Sequence, residues 1–539
     1  MRHAKRWLYL VHRWLGVLLC SFFAMWFISG VVMMYVGYPK LTQAERLAHL
    51  PPLRNAMLGQ GRLLEPAEAL QRAGLAGPLQ DLRLAMASGG RAVYLAMPEA
   101  PAGSTAPRPR RAAAPAVIDA STGERVQRVD AAHAIASAQA FAPQDALAID
   151  HQGLIDEDAF THSRTLDVHR PLHRLHLGDN AGTVVYVSST TGEVVRDAPW
   201  HERAWNYAGA WIHWLYPFRG NVFNDYWTDI VNWLSIAGTV LAVTGTVVGV
   251  LRWRFTGGPY KTGARTPYRS FMMRWHHVFG LVFATITFTW IFSGLMSMNP
   301  WKIFDSGAAP LRVQAMNGGP LLLPTQAASV QALLSVASPH TRELRWVRSA
   351  GHTLVLAHGP LGVPALLDAT TGAPYTWAPG TVADAAAHLL PHAVVRTETL
   401  TTYDLHYYDR AAHTMTGGGD KPLPVLRLVF DDPHATWVHV DPHTGAVLGR
   451  TDSHRRTSRW LFAMLHSWDW LPLLERRPLW DILLIVLSLG GAVMSLTGVA
   501  IGWHRLGAKL REWKASSALA AQRAAQQDHR HQAHRHQGQ

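Results

Sequence analysis

The stretch His12-Arg-Trp-Leu-Gly16-Val-Leu-Leu-Cys20-Ser-Phe-Phe-Ala-Met-Trp26-Phe-Ile-Ser29-Gly30 decides the fold. From 15 to 36 there is no Asp, Glu, Lys or Arg. About 20 apolar residues let a helix cross the hydrocarbon core of a bilayer. Residues 230–251, 278–298 and 482–503 share this property, so four transmembrane helices are expected. Basic residues precede the first and no small-residue cleavage site follows it. It therefore reads as a retained anchor rather than a signal peptide.

The same stretch recurs. His276-His-Val-Phe-Gly280 and Trp290-Ile-Phe-Ser293-Gly294 repeat His12, Gly16, Trp26, Ser29 and Gly30 at a constant offset of 264. Trp227, Thr244-Gly245 and Gly249 recur as Trp480, Thr497-Gly498 and Gly502, at an offset of 253. Between the spans, one pattern occurs four times: Asp119-Ala-Ser-Thr122-Gly123, Ser188-Ser-Thr-Thr191-Gly192, Asp368-Ala-Thr-Thr371-Gly372 and Asp441-Pro-His-Thr444-Gly445. Asp and Thr bond locally and Gly tolerates positive φ, so each is a tight turn after a strand. Alternation predicts strands at 183–188 and 435–440, and Ala-rich runs predict helices at 64–75, 129–141 and 325–337. Residues 99–115, rich in Ala and Pro, read as a linker.

The expected fold is an α-helical membrane protein with four spans, α+β exterior modules and a tandem internal duplication. Each copy is a span, two modules, a short apolar helix and a span. The predicted boundaries are 1–36 for the N-terminus and first span and 37–226 for the first exterior region. The second span is 227–252, the loop 253–273 and the third span 274–298. The second exterior region is 299–478, the last span 479–504 and the His-rich tail 505–539.

The charge of +13 suggests nucleic acid or a membrane. With 48% hydrophobic residues, 16% charged residues and 22 Trp, the composition argues against nucleic acid. The segments before span one, between spans two and three, and after span four hold 17 Lys and Arg against Glu512 and Asp528. They carry +15, leaving −2 for the rest of a chain whose total is +13. The positive-inside rule places them in the cytoplasm. The protein is thus expected in the bacterial inner membrane, multi-pass, with both termini cytoplasmic and the large regions periplasmic. The tail with His529, His531, His534 and His536 reads as disordered.

Cys20 is the single cysteine. That excludes a disulfide framework, a Cys-ligated iron–sulfur cluster and c-type haem attachment. Histidine is left as the metal or haem ligand. His12 and His276 are repeat equivalents at the cytoplasmic ends of spans one and three; His213 and His466 are equivalents outside spans two and four. Ionisable residues at membrane depth are functional by default, and bis-His ligation gives an electron-transfer haem with no open position. The cytoplasmic set is His12, His276, His277 and His504, the last two without counterparts; the exterior set is His213 and His466. Two haem b groups across the bilayer are one reading, and interfacial histidines are the other. Outside, Asp167, His169, His173, His176, Tyr403, Asp404, His406, Tyr407 and Tyr408 are candidates for a chelate site, weighed below a plain strand-surface role. There is no G-x-G-x-x-G after a strand and no Walker A sequence, so electrons must come from a partner or a quinol.

At His12-Arg-Trp-Leu-Gly16, the Thr-Gly turns, Pro422-Leu-Pro-Val-Leu-Arg427, Asp441-Pro-His-Thr-Gly445 and Leu465-His466, the sequence resembles the PepSY-associated transmembrane family over residues 7–505. That family includes inner-membrane proteins of iron uptake, some of them similar to haem-containing reductases of ferric siderophores. The resemblance implies four spans, periplasmic PepSY modules and His-ligated haem, with His12, His276, His213 and His466 at the family's recurrent histidines. The first copy departs from it, with Leu172-His-Arg-Leu-His176 in place of the Pro-Val-Leu-Arg strand. The leading expectation is a transmembrane reductase of Fe(III) in a periplasmic ferric-siderophore. Its electron donor would be a quinol or a cytoplasmic reductase. The rivals are a PepSY-bearing regulatory or interaction protein without redox activity, and a siderophore or metal transporter.

Overall fold

The computed structural model describes every residue except 1, 60, 100–113, 143–147, 220–221, 411–420 and 537–539. Most of the expected linker at 99–115 lies outside the described residues. The chain divides into two compact units. Met1–Val31, Asp225–Pro300 and Leu461–Gln539 form a helical unit, and Val32–Asn224 with Trp301–Trp460 form an α+β unit.

Among the described residues, three helices are long and apolar enough to cross a membrane: His3–Tyr35, Asn224–Arg252 and Leu479–Arg523. The expected straight third span is instead a bent pair, Phe271–Val282 and Ala284–Ser297, angled by 68°. Phe283 between them has left helical geometry, with φ −100° and ψ 12°. Neither Pro nor Gly stands there, so composition gave no warning. The bend coincides with a packing feature: a Cβ on Gly490 would lie 2.0 Å from the Phe283 ring, and one on Gly491 would lie 2.3 Å from the Phe27 ring. Two missing side chains on the last helix thus seat two aromatic rings. That helix runs unbroken from Leu479 to His536, where the sequence suggested a disordered tail. Residues 515–533 are rich in Ala, Gln and Arg and hold neither Gly nor Pro; these are strong helix formers.

The α+β unit holds three antiparallel sheets. Their strands are β1 (Leu79–Ser88), β2 (Arg91–Pro98), β3 (Ala116–Asp119), β4 (Asp150–Ile155), β5 (Leu172–His176), β6 (Val184–Ser188), β7 (Val194–Ala198), β8 (Glu343–Ser349), β9 (His352–His358), β10 (Ala365–Asp368), β11 (Val394–Leu400), β12 (Val425–Phe430), β13 (Trp437–Val440) and β14 (Val447–Thr451). β4–β7 and β11–β14 are four-stranded meanders. The first is covered by helix Ala131–Phe141 and the second by Thr381–Ala386. The third sheet runs β10-β9-β8-β1-β2-β3, so strands expected in two separate modules share one sheet. At the β1–β8 seam Arg83 opposes Arg345, flanked by Leu82 opposite Trp346 and Leu84 opposite Leu344. The like charges are offset by acids: Asp81 lies 2.7 Å from Arg345, and buried Glu343 lies 2.7 Å from Arg46 and 3.4 Å from Arg83. Burial opposes ionisation of Glu343, but the Arg46 and Arg83 charges outweigh it and hold its carboxyl below the ordinary value.

All four predicted turns form. Gly123, Gly192, Gly372 and Gly445 have φ of 79°, 74°, 74° and 72°. Asp119, Asp368 and Asp441 each accept a hydrogen bond from a backbone amide two residues on, and the Ser188 hydroxyl accepts one in the equivalent place. Gly491→Ala is expected to destabilise the helical unit by about 1–3 kcal/mol through overpacking against Phe27. The check is a lower melting temperature in detergent, against an unmoved Gly507→Ala control, where the new methyl would come no closer than 3.6 Å to the tip of Arg511.

Candidate functional site

A cavity of about 660 Å³ opens among the helices of the helical unit. Cofactor sites typically measure about 300–1,000 Å³. His12 and His276 line it, together with Gly16, Gly245, Gly280 and Gly498. Their rings face one another with centroids 6.5 Å apart and planes 33° apart. Two imidazoles bonded at about 2 Å to opposite sides of one metal ion have centroids about 6 Å apart.

The local sequence explains this arrangement. His12 and Gly16, like His276 and Gly280, are four residues apart and share a helix face. No atom lies within 4 Å of where a Gly280 Cβ would stand, so the missing side chain leaves open space one turn from the imidazole. A Cβ on Gly245 would lie 2.8 Å from His12 Cε1, and one on Gly498 would lie 3.3 Å from His276 Cε1. The recurring Thr-Gly pairs therefore let the imidazoles lie against the neighbouring helix. Each Thr bonds back to its own helix, Thr244 to the Val240 carbonyl at 2.7 Å and Thr497 to the Met494 carbonyl at 2.6 Å.

His276 Nδ1 lies 3.1 Å from both the Met494 carbonyl and Thr497 Oγ1. A carbonyl only accepts, so the proton is assigned to Nδ1 and the lone pair to Nε2. His12 Nδ1 is buried without a hydrogen bond among the described residues, and the Leu241 backbone lies beside the ring. Leu241 and Met494 are themselves related by the offset of 253. Both histidines thus meet the same position of a helix.

The other histidines separate. His277 has Nδ1 2.7 Å from Thr266 Oγ1 and Nε2 2.9 Å from the Gly249 carbonyl, between the rings of Trp253 and Tyr268. Both nitrogens thus have partners, although His277 also lines the cavity. His504 is exposed on the last helix and stands outside the cavity lining. His466 is held through Nδ1, 3.0 Å from Ser293 Oγ and 3.2 Å from the Trp290 carbonyl. His213 lies half-buried in the α+β unit. The sequence singled out His12 and His276 as candidates but missed the packing role of the glycines and of Thr497; their constant offsets were the available signal.

The exterior candidates are absorbed by their own modules. Asp167 pairs with Arg170 at 3.0 Å, His169 Nδ1 lies 3.0 Å from Ser188 Oγ, and His173 Nε2 lies 3.0 Å from the Val129 carbonyl. His173 and His176 are three apart on β5, so they fall on opposite faces. Asp404 accepts from the amides of His406 and Tyr407, each at 2.8 Å, and pairs with Arg427 at 2.6 Å. The hydroxyls of Tyr403 and Tyr407 donate to the carbonyls of Lys421 and Pro422 at 3.0 and 2.8 Å, and Tyr408 stacks edgewise on Tyr403. Arg427 Nε donates to His439 Nε2 at 2.9 Å, and its guanidinium lies 4.7 Å from the Trp437 ring centroid. Among the described residues no three His, Cys, Asp or Glu are grouped to hold a metal ion.

Apolar membrane helices around a histidine-lined cavity, with α+β modules carried on the same chain, define a membrane protein of mixed helical and sheet architecture. The chain belongs to the PepSY-associated transmembrane family, whose PepSY-associated TM region matches residues 9–358. No curated protein matches it.

His439 yields a pH prediction. Burial, and then the Arg427 charge, push its pKa down to about 4. The unfolded chain protonates it near 6.5 while the folded chain does not. Stability present above about pH 6.5 is therefore lost as the pH falls towards 4, by roughly 1–3 kcal/mol. His439→Gln keeps an acceptor for Arg427 and removes the titration. Its melting temperature should fall less steeply between pH 7 and 4.5; a slope equal to wild type would refute this.

Proposed function

We propose that this protein is a haem-containing inner-membrane reductase. It carries electrons from the cytoplasmic side to Fe(III) held in a periplasmic ferric-siderophore or similar chelate. The observation that carries the reading is the His12–His276 pair, 6.5 Å apart across a cavity of cofactor size. The donor set fits haem b: two imidazoles among largely apolar helix walls, with Cys20, the single cysteine, also in the lining.

His12 and His276 would hold the iron. A bound haem would supply a one-electron centre there. The chain supplies the rest. Met494 and Thr497 orient His276 and fix Nε2 as the donor, as outer partners of ligating histidines generally do. Gly16 and Gly280 leave room beside the rings. The apolar helix walls limit water, and so influence potential. A second haem b remains part of the proposal on sequence recurrence alone, at the offset of 253. The constant offsets also favour a tandem duplication, with the bent pair as the fourth span and both termini cytoplasmic.

Each electron from a quinol or a cytoplasmic reductase would convert one Fe(III) to Fe(II). The softer, less charged ion is held poorly by hard oxygen chelators and is released. The purified protein should show a Soret band and a reduced-minus-oxidised spectrum of six-coordinate haem b. His276→Ala should lose or alter one centre, and Thr497→Val should weaken haem retention by about 10–100-fold. No Soret band after expression with ample haem would overturn the proposal and leave the non-redox interaction reading. An unchanged spectrum in both His12→Ala and His276→Ala would overturn the ligand assignment.

A further inference from the structure

The cavity rim carries charge that two imidazoles do not use. Arg6, Arg13, Arg252 and Arg505 line it, and no Asp or Glu does. Arg252 is engaged, with Nε donating to the Tyr9 hydroxyl at 3.2 Å and its guanidinium 4.9 Å from the Tyr9 ring. Arg505, its equivalent at an offset of 253, has no such partner among the described residues, and its Nε is buried there without a hydrogen bond. Like charges gathered around an apolar cavity are costly unless an anion joins them. A cleft lined by one sign of charge also focuses the field on an anionic ligand.

Position gives these charges a direction. Arg13 directly follows His12. Arg505 lies two turns beyond Gly498, the residue against which His276 packs, or about 10 Å along the helix. The rim charges and the imidazoles therefore address one occupant. Its apolar part would lie among the glycines, and its anionic part would face the cytoplasmic ends of the helices. A guanidinium fork matches a carboxylate in a bidentate manner.

We infer that Arg13 and Arg505 bind the two propionate carboxylates of a haem held by His12 and His276, which fixes the propionate edge towards the cytoplasm. This rests on the haem reading above. The competing role for these arginines is generic: cytoplasmic-side charges that meet lipid phosphates.

The test compares two ligands on the full-length wild-type protein, stripped of haem and held in detergent. Protohaem and its dimethyl ester share the iron and the macrocycle but differ in the two charges. Soret titration should show protohaem binding at least about tenfold tighter than the ester, as charge-assisted bonds require. In the double variant Arg13→Gln/Arg505→Gln the preference should collapse, because protohaem weakens while ester affinity and the six-coordinate spectrum stay. Equal binding of both haems by the wild type would overturn the inference, leave the haem reading intact and assign the arginines to lipid. Binding of neither haem would overturn both. The wild-type comparison needs no variant, so a double variant that misfolds does not remove the test.

Discussion

An imidazole can be pressed against a neighbouring helix only where that helix lacks a side chain. This constraint organises the helical unit. Gly245 receives His12 and Gly498 receives His276, at separations no alanine would tolerate without movement. Gly490 and Gly491 do the same for two phenylalanine rings. Close approach of this kind is how apolar helices gain packing in lipid, where burying apolar surface offers no advantage over contact with acyl chains.

The second demand is that polar atoms at this depth find partners. The carbonyls of Leu241 and Met494 sit where two equivalent histidines need acceptors, and the adjoining threonines bond back onto their own helices. His277 meets the same demand differently, spending both nitrogens on Thr266 and Gly249. Neighbouring histidines thus differ in use because their surroundings differ. Both line the cavity, but one has a nitrogen left over while the other closes a loop onto a helix. The rim arginines extend the pattern, since their charge stays uncompensated within the cavity wall.

The α+β unit solves a different problem. A three-stranded sheet leaves edges that pair readily with other strands. Here β1 and β8 close two such edges on each other, at a seam where Arg83 faces Arg345. The seam holds because Asp81, Glu193 and Glu343 surround those guanidinium groups. The exterior histidines and tyrosines serve the same purpose of internal bonding.

The sequence by itself determined the apolar helices, the four Thr-Gly turns and the recurrent His12 and His276. These depend on local composition and on constant offsets, which a chain displays without folding. It also held the glycines and Thr497 in plain view, but not their purpose, which appears only when the facing helix is in place. Tertiary structure alone decided the bend at Phe283, where ring packing rather than any breaker residue coincides with the change of direction. It alone separated His276 from His277 and set His504 aside, because a histidine's use depends on which of its nitrogens already has a partner. It alone joined β1 to β8, since strand edges carry no mark of the partner they will take.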